Sequence, residues 1–215
     1  MSKIQEKRNM KKMFLLILSI AIMSTFFGCS FKSGEGKIIN KEGVYPYELS
    51  ERESDLLESL DLKNDVNLIL FKAPQKAKSL EARSYVLNKN GKWDMVSNLH
   101  IFSGGNDDSQ SELEGIFSML LKDDYSIEMH ITSKGRFSQK GIPLEMEVEN
   151  LASSRGFLPE YKEIELGKEI PIAIMIYDNG TSMRTYSMDD FFSPSTFEGM
   201  DLVQAVTLTF TEEVD

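Results

Sequence analysis

The chain has 215 residues, of which 41% are hydrophobic and 27% are charged, and its formal net charge is -10 at pH 7. This composition is ordinary for a globular protein and excludes collagen-like, low-complexity and largely disordered chains. The length allows one domain or at most two small ones. The chain contains one cysteine, which excludes a framework of intramolecular disulfides.

Residues 1–28 differ in composition from the rest of the chain. Five basic side chains and one acidic side chain precede an uncharged, mostly apolar run of fifteen residues, from 13 to 27. A positive segment followed by an apolar stretch of this length is typical of a secretory signal peptide. The run is short for a membrane-spanning helix, which needs ~20 apolar residues. We therefore predict that residues 1–28 are an export signal.

A cysteine follows the apolar run, with a glycine directly before it. The segment Phe26-Phe27-Gly28-Cys29 resembles the lipobox of bacterial lipoproteins, a resemblance that covers the first 29 residues only. It implies that the Cys29 thiol carries a diacylglycerol, that the chain is cut between Gly28 and Cys29, and that the protein is attached to a membrane of the cell envelope. Two acyl chains anchor a protein stably, because each buried CH₂ contributes ~0.8 kcal/mol. The alternative is an unmodified Cys29 behind an uncleaved N-terminal anchor.

The rest of the chain is predicted to be an acidic domain behind a flexible tether. Residues 29–44 contain Gly, Ser and Lys with few large apolar side chains, which predicts a tether, and residues 45–215 are predicted to form a single domain. Without residues 1–28 the chain has 19 basic and 33 acidic residues, a net charge of -14. Phosphate backbones and anionic headgroups repel such a surface. We therefore expect no nucleic-acid partner and attachment to the membrane through the lipid alone.

The domain is predicted to begin with one amphipathic helix. Ser50 followed by Glu53 fits a capping box, and the apolar side of the predicted helix carries Leu49, Leu56, Leu57 and Leu60. A helix with one apolar side packs that side against other apolar groups. We expect it to pack on the domain as a brace, and a partner-binding helix is the alternative.

After residue 61 the hydrophobic pattern changes to a period of two, with turn residues between the runs. The predicted strands lie at residues 66–71, 79–87, 92–102, 115–121, 125–132, 144–148, 169–177, 182–187 and 202–211. Asn90-Gly91 and Asn179-Gly180 predict tight hairpins, because both residue types accept the positive φ angles that such turns need. Residues 189–199 are predicted to contain one or two helical turns.

About nine strands without alternating helices predict a mainly β fold, either an antiparallel sandwich or a barrel. The sandwich is favoured because several strands are polar on one face, as expected when two sheets pack through their apolar faces. The predicted fold is therefore an antiparallel β-sandwich of about nine strands with one N-terminal amphipathic helix.

Few residues indicate a metal site or a cofactor. His100 and His130 are the only histidines, and they are too far apart in sequence to suggest a zinc site; His130 is expected on a solvated strand face. The segment Asn106-Asp107-Asp108 follows two glycines and offers oxygen ligands of the kind that calcium takes, but without the spacing of a calcium loop. A solvated loop is the favoured interpretation, and no cofactor is expected.

Two further groups of side chains are candidates for ligand binding. Glu145, Glu147 and Glu149 lie on one face of a predicted strand at ~6.7 Å intervals, whereas glycosidase chemistry needs two opposed carboxylates, so a solvent-exposed stripe is favoured. Trp93, the only tryptophan, and Tyr85 lie across one predicted hairpin. Such aromatic side chains stack on sugar rings when they are exposed, whereas most tryptophans anchor a core.

These observations leave two classes of function. The first is a non-enzymatic, lipid-anchored protein of the cell envelope whose β-sandwich binds a protein or a glycan, the latter as a carbohydrate-binding module. The second is an envelope hydrolase that uses acidic residues. The sequence contains no G-x-S-x-G elbow, H-E-x-x-H pair, phosphate-binding P-loop or dinucleotide fingerprint. We therefore expect a binding module with no catalytic residues.

Overall fold

The structure, a computed structural model, describes residues 41–103, 113–145, 151–180 and 185–213, all within the compact unit Ile39–Asp215. These residues form two five-stranded antiparallel sheets, which confirms the predicted mainly β sandwich. The strands are β1 (Gly43–Pro46), β2 (Val66–Lys72), β3 (Ser79–Leu87), β4 (Trp93–Phe102), β5 (Glu114–Leu121), β6 (Ile127–Thr132), β7 (Arg136–Gln139), β8 (Ala152–Phe157), β9 (Glu169–Asp178) and β10 (Leu202–Thr211). The helical elements are α1 (Glu51–Ser59) and two 3-10 turns, Met188–Phe192 and Pro194–Phe197.

The first sheet has the strand order β1-β2-β5-β6-β7, and the second has the order β4-β3-β10-β9-β8. Alternation along each strand separates a face that packs against the other sheet from an outer face. In β10, for example, Val206, Leu208 and Phe210 lie in the core between the sheets. Thr207 and Thr209 lie on the outer face of the second sheet, beside residues of β3 and β9.

The chain enters the sandwich through a closely packed junction. Val44 is fully buried and forms an antiparallel bridge to Lys162, in the segment that follows β8. The ring of Tyr161 packs against Tyr45 at 5.0 Å between centroids and leaves no room for a side chain at Gly43, whose φ is +150°. Gly43 and Val44 therefore belong to β1, although the predicted tether extends to residue 44.

Helix α1 forms as predicted but does not pack as the expected brace. Ser50 and Glu53 make both hydrogen bonds of the capping box, which satisfies two free N–H groups of the first turn. No residue of the helix is buried, and the side chains of Leu56 and Leu60 are 59% and 58% exposed. The helix is thus stabilised by its capping hydrogen bonds rather than by burial of its apolar side.

The described residues of two predicted strands are not in strands, a third strand begins two residues later than predicted, and three strands were missed. The segment after Gly180 was expected to return as a strand, but residues 185–187 are not in one, and β9 pairs with β8 and β10 instead. Tyr125 has a φ of +58° and lies in the turn before β6, so it does not begin that strand.

The short β1, β7 and β8 were missed, because they lack a clear run of alternating apolar residues. Residues 144 and 145 are not in a strand.

We predict that Gly43→Ala destabilises the domain more than Gly167→Ala. A Cβ at Gly43 would lie 2.2 Å from Cε2 of Tyr161 and 2.9 Å from the Lys162 carbonyl oxygen, whereas a Cβ at Gly167, with a φ of +77°, meets open space. The left-handed conformation costs an alanine ~1–2 kcal/mol. Overpacking adds ~1–3 kcal/mol at Gly43 only.

Urea unfolding followed by circular dichroism measures both free energies of unfolding. Equal losses in the two variants would contradict the close contact between Gly43 and Tyr161.

Candidate functional site

The outer face of the second sheet carries an apolar cluster that the two 3-10 turns cover. Ile174 and Ile176 of β9 and Val203 and Ala205 of β10 pack there against Met188, Phe191 and Phe197 of the turns. The described residues between these two strands, from 185 onward, therefore lie over the outer face of the second sheet instead of forming the predicted hairpin. Hydrogen bonds from the Asn179 backbone to Asp201 and from the Gly180 backbone to Asp178 fix the chain just after β9.

Trp93 holds the first 3-10 turn in place. Its indole stacks on Phe191 at 5.1 Å between ring centroids and 20° between ring planes, and its Nε1–H donates a hydrogen bond of 2.9 Å to the Phe191 carbonyl oxygen. Phe191 in turn contacts Phe192 edge-on at 5.3 Å. Phe192 is 60% exposed. Trp93 and the buried Phe191 therefore support an aromatic ring that faces solvent.

Beside this cluster, the same face carries a polar network that spans four neighbouring strands. Residues directly opposite each other in an antiparallel pair project on the same face. The register therefore aligns His100 of β4, Glu81 of β3, Thr209 of β10 and Glu169 of β9 in one row. The next row aligns Asn98, Arg83 and Thr207.

Glu169 is the best-supported carboxylate of the network. Its Oε1 accepts hydrogen bonds from the Tyr85 hydroxyl at 2.5 Å and the Thr207 hydroxyl at 3.1 Å, and Nη1 of Arg83 lies 3.7 Å from the same oxygen. Arg83 also pairs with Glu81. One guanidinium therefore contacts both carboxylates.

Buried polar atoms without partners concentrate in the same network. Four of the seven such side-chain atoms among the described residues are Nε of Arg83, Oδ1 of Asn98, Nε2 of His100 and Oγ1 of Thr209. An unsatisfied buried polar group costs ~1–3 kcal/mol, and native structures contain few of them. Their concentration on one face is the feature that separates this region from an ordinary solvated sheet surface.

The environment of Tyr85 favours its neutral form. Burial and then the hydrogen bond to Glu169 raise the pKa of the phenol above its ordinary value, while the hydrogen bond with Arg83 acts in the opposite direction. At neutral pH Tyr85 is therefore a hydrogen-bond donor that keeps the Glu169 carboxylate in position.

A cleft of about 230 Å³ lies next to this network, and we call it the Glu169 cleft. Glu169, Ile170 and Pro171 line it from β9, and Met188, Asp189 and Phe192 line it from the first 3-10 turn. The remaining lining residues belong to the segment before β9 and are charged: Lys162, Glu163, Glu165 and Lys168. The cleft thus combines an exposed aromatic ring, an apolar floor and both signs of charge.

Three ion pairs balance much of this charge. Lys162 lies 3.5 Å from Asp189, Lys168 pairs with Glu165, and Arg83 contacts Glu169. The first two pairs are exposed and contribute little to stability. They nevertheless place donors and acceptors side by side at the cleft.

A second, larger groove of about 490 Å³ lies at the other end of the 3-10 segment. The turn at Leu87–Gly91 and the residues from Pro194 to Asp201 line it. No residue of the polar network lines this groove, whereas Glu169, which the network holds in position, lines the smaller cleft. The smaller Glu169 cleft is therefore the stronger candidate.

The structure brings Trp93 and Tyr85 together, as the sequence predicted, but not as an exposed platform for a sugar. Tyr85 is buried, with 9% of its surface exposed, and its ring lies 6.5 Å from that of half-buried Trp93. Trp93 is partly buried and packs against the outer-face cluster. The exposed groups that these two residues support are Phe192 and Glu169, which the sequence did not single out. Neither residue carries a distinctive sequence signal. Phe192 is one of two adjacent phenylalanines that follow two aspartates, and Glu169 is the first residue of a strand.

Other candidate residues lie apart from the cleft or outside the described residues. Gly28, Cys29, Asn106, Asp107, Asp108, Glu147 and Glu149 lie outside them, and Glu145 is exposed. His130 lies on the polar face of β6 as expected, but it is bonded rather than merely solvated. Its Nδ1 lies 2.9 Å from the Ser138 hydroxyl and its Nε2 lies 3.4 Å from Glu128.

The described part of the chain contains neither a cluster of metal ligands nor a membrane-spanning helix. Its His, Cys, Asp and Glu side chains form no group of three that could hold a metal ion. None of its helices has the length and apolar character needed to cross a membrane. Comparisons with protein-family models, with curated proteins and with solved structures found no match.

We predict that Tyr85→Phe makes stability less sensitive to alkaline pH. The raised pKa of Tyr85 means that its contribution is fully present below the unfolded value of about 10 and is lost as pH rises through the higher folded value. The variant should also lose ~1 kcal/mol near neutral pH, because one hydrogen bond to Glu169 disappears.

Urea unfolding from pH 7 to pH 11, followed by Trp93 fluorescence, measures both effects. If the two proteins show parallel pH profiles, Tyr85 does not have the assigned environment.

Proposed function

We propose that this protein is a lipid-anchored lipoprotein of the cell envelope whose β-sandwich is a non-catalytic binding module, with the Glu169 cleft as its binding site. The lipid anchor is supported by the sequence alone: a basic segment, an apolar run of fifteen residues and then Gly28-Cys29. The acidic charge of the remaining chain agrees with attachment through a lipid rather than through a basic surface.

The observation that carries the binding role is the joint support of Phe192 and Glu169 at one cleft. Trp93 and Phe191 hold the exposed Phe192 ring, and Tyr85 with Thr207 holds the Glu169 carboxylate. Groups that are fixed before a ligand arrives lose less conformational entropy on binding. An exposed aromatic ring beside a fixed carboxylate is therefore suited to recognition.

The same contacts favour binding over hydrolysis by acidic residues. Hydrolysis of a glycosidic bond needs two carboxyl groups that flank the bond and are free to exchange protons with the substrate. Glu81 and Glu169 instead share the Arg83 guanidinium, and Oε1 of Glu169 also accepts hydrogen bonds from Tyr85 and Thr207. Glu169, the one of the two that lines the cleft, is therefore suited to accepting hydrogen bonds from a ligand.

We predict that Cys29→Ser prevents lipidation and releases the protein from membranes. Because Cys29 is the only cysteine, radiolabelled palmitate that enters the protein through a cysteine must be attached there. The expected result is label in the membrane fraction for the unaltered chain and unlabelled protein in the soluble fraction for the variant. Equal labelling of both, or labelling of neither, would overturn the lipid anchor.

The binding role is tested with the Cys29→Ser full chain, so that lipid insertion does not contribute. This protein is sedimented with envelope fragments from which lipids have been extracted. We predict that Phe192→Ala and Glu169→Gln each lower the bound fraction at least severalfold. Phe137→Ala, at a ring that is 42% exposed on β7, is the matched control and should bind as before. Equal binding by all four proteins would contradict the assignment of the cleft. If the protein hydrolyses an envelope polysaccharide and Glu169→Gln abolishes this activity, the protein is an enzyme and the proposal of a non-catalytic module is wrong.

A further inference from the structure

We propose that the Glu169 cleft binds one ring of a neutral glycan, with Phe192 against the apolar face of the sugar and Glu169 hydrogen-bonded to its hydroxyl groups. The inference rests on the proposed binding function and names the ligand of that site.

The size of the cleft limits what it holds. Its volume of about 230 Å³ is below the ~300–1,000 Å³ of sites for drug-sized molecules. The cleft is open at its rim, where the Phe192 ring is 60% exposed. A single ring of a longer chain fits this description, because the neighbouring rings remain outside.

Phe192 supplies an apolar surface at a fixed orientation. It makes an edge-on contact of 5.3 Å with Phe191 at an interplanar angle of 83°, and Phe191 is itself stacked on Trp93. Met188 and Pro171, both buried, lie in the same lining. One face of a sugar ring consists of C–H groups, and burying them against an aromatic ring removes apolar surface from water.

The polar side of the cleft suits hydroxyl groups. The Glu169 side chain is 27% exposed and can accept a charge-assisted hydrogen bond. Lys162 and Lys168 lie in the same lining and can donate hydrogen bonds. A sugar hydroxyl both donates and accepts, so adjacent hydroxyls can use acceptors and donors that lie side by side.

The ion pairs at the cleft favour a neutral ligand over a basic one. Three of the four carboxylates in the lining, Asp189, Glu165 and Glu169, already have a cationic neighbour, respectively Lys162, Lys168 and Arg83. A lysine or arginine side chain of a partner would have to displace these cations or be repelled by them. A neutral hydroxyl adds a hydrogen bond without disturbing the pairs.

The test uses the full chain in detergent micelles and two kinds of probe. The first is an array of short oligomers of glucose, galactose, mannose and N-acetylglucosamine, and the second is a lysine-rich peptide. A glycan that binds is then titrated by calorimetry. A change in the fluorescence of Trp93, the only tryptophan, indicates that the glycan disturbs the packing of Trp93, Phe191 and Phe192.

The expected result is binding of at least one of these glycans, which Phe192→Ala and Glu169→Gln each weaken about tenfold. Phe137→Ala should change the affinity less than twofold, and thermal unfolding confirms that each variant folds. Failure of every glycan on the array to bind, or glycan affinity that neither cleft variant changes, would overturn the inference. Peptide binding that Phe192→Ala weakens, without glycan binding, would also overturn it while leaving the proposed binding function intact.

Discussion

The packing of Trp93 against Phe191 is the contact on which the outer face of the second sheet depends. It fixes the 3-10 turn that covers the apolar cluster of that face, because the indole stacks on the Phe191 ring and its N–H bonds to the Phe191 backbone. The position of this turn decides where Phe192 is presented and where the wall of the Glu169 cleft stands. The residues after β9 could otherwise continue as a hairpin, as their Asn-Gly pair suggests.

The parts of the fold that follow from the sequence are those in which burial imposes a pattern. The long strands β3 and β10 alternate between core and outer face, and their bounds agree closely with the prediction. The capping box at Ser50 was also predictable, because its hydrogen bonds are local. The four-residue strands β1 and β7 lie at the edges of the first sheet, where their pairing depends on neighbours distant in sequence.

The candidate site was only partly predictable for a related reason. Tryptophan and tyrosine are conspicuous in a sequence, and Trp93 and Tyr85 were rightly placed together across one hairpin. Which aromatic residue reaches solvent depends on how the turn after β9 folds back over the sheet, and that depends on contacts between residues about one hundred positions apart. Glu169 belongs to the network for the same reason, since three strands must align before it meets Tyr85 and Arg83.

The central claim is that Trp93 acts through Phe191, and a double-mutant cycle on the free energy of unfolding tests it most directly. Trp93→Leu, Phe191→Leu and the double variant are unfolded in urea and followed by far-ultraviolet circular dichroism, because the cycle removes the only tryptophan. The stacked geometry predicts a coupling energy of ~0.5–1.5 kcal/mol. Effects that add within ~0.3–0.5 kcal/mol, as for independent sites, would contradict it.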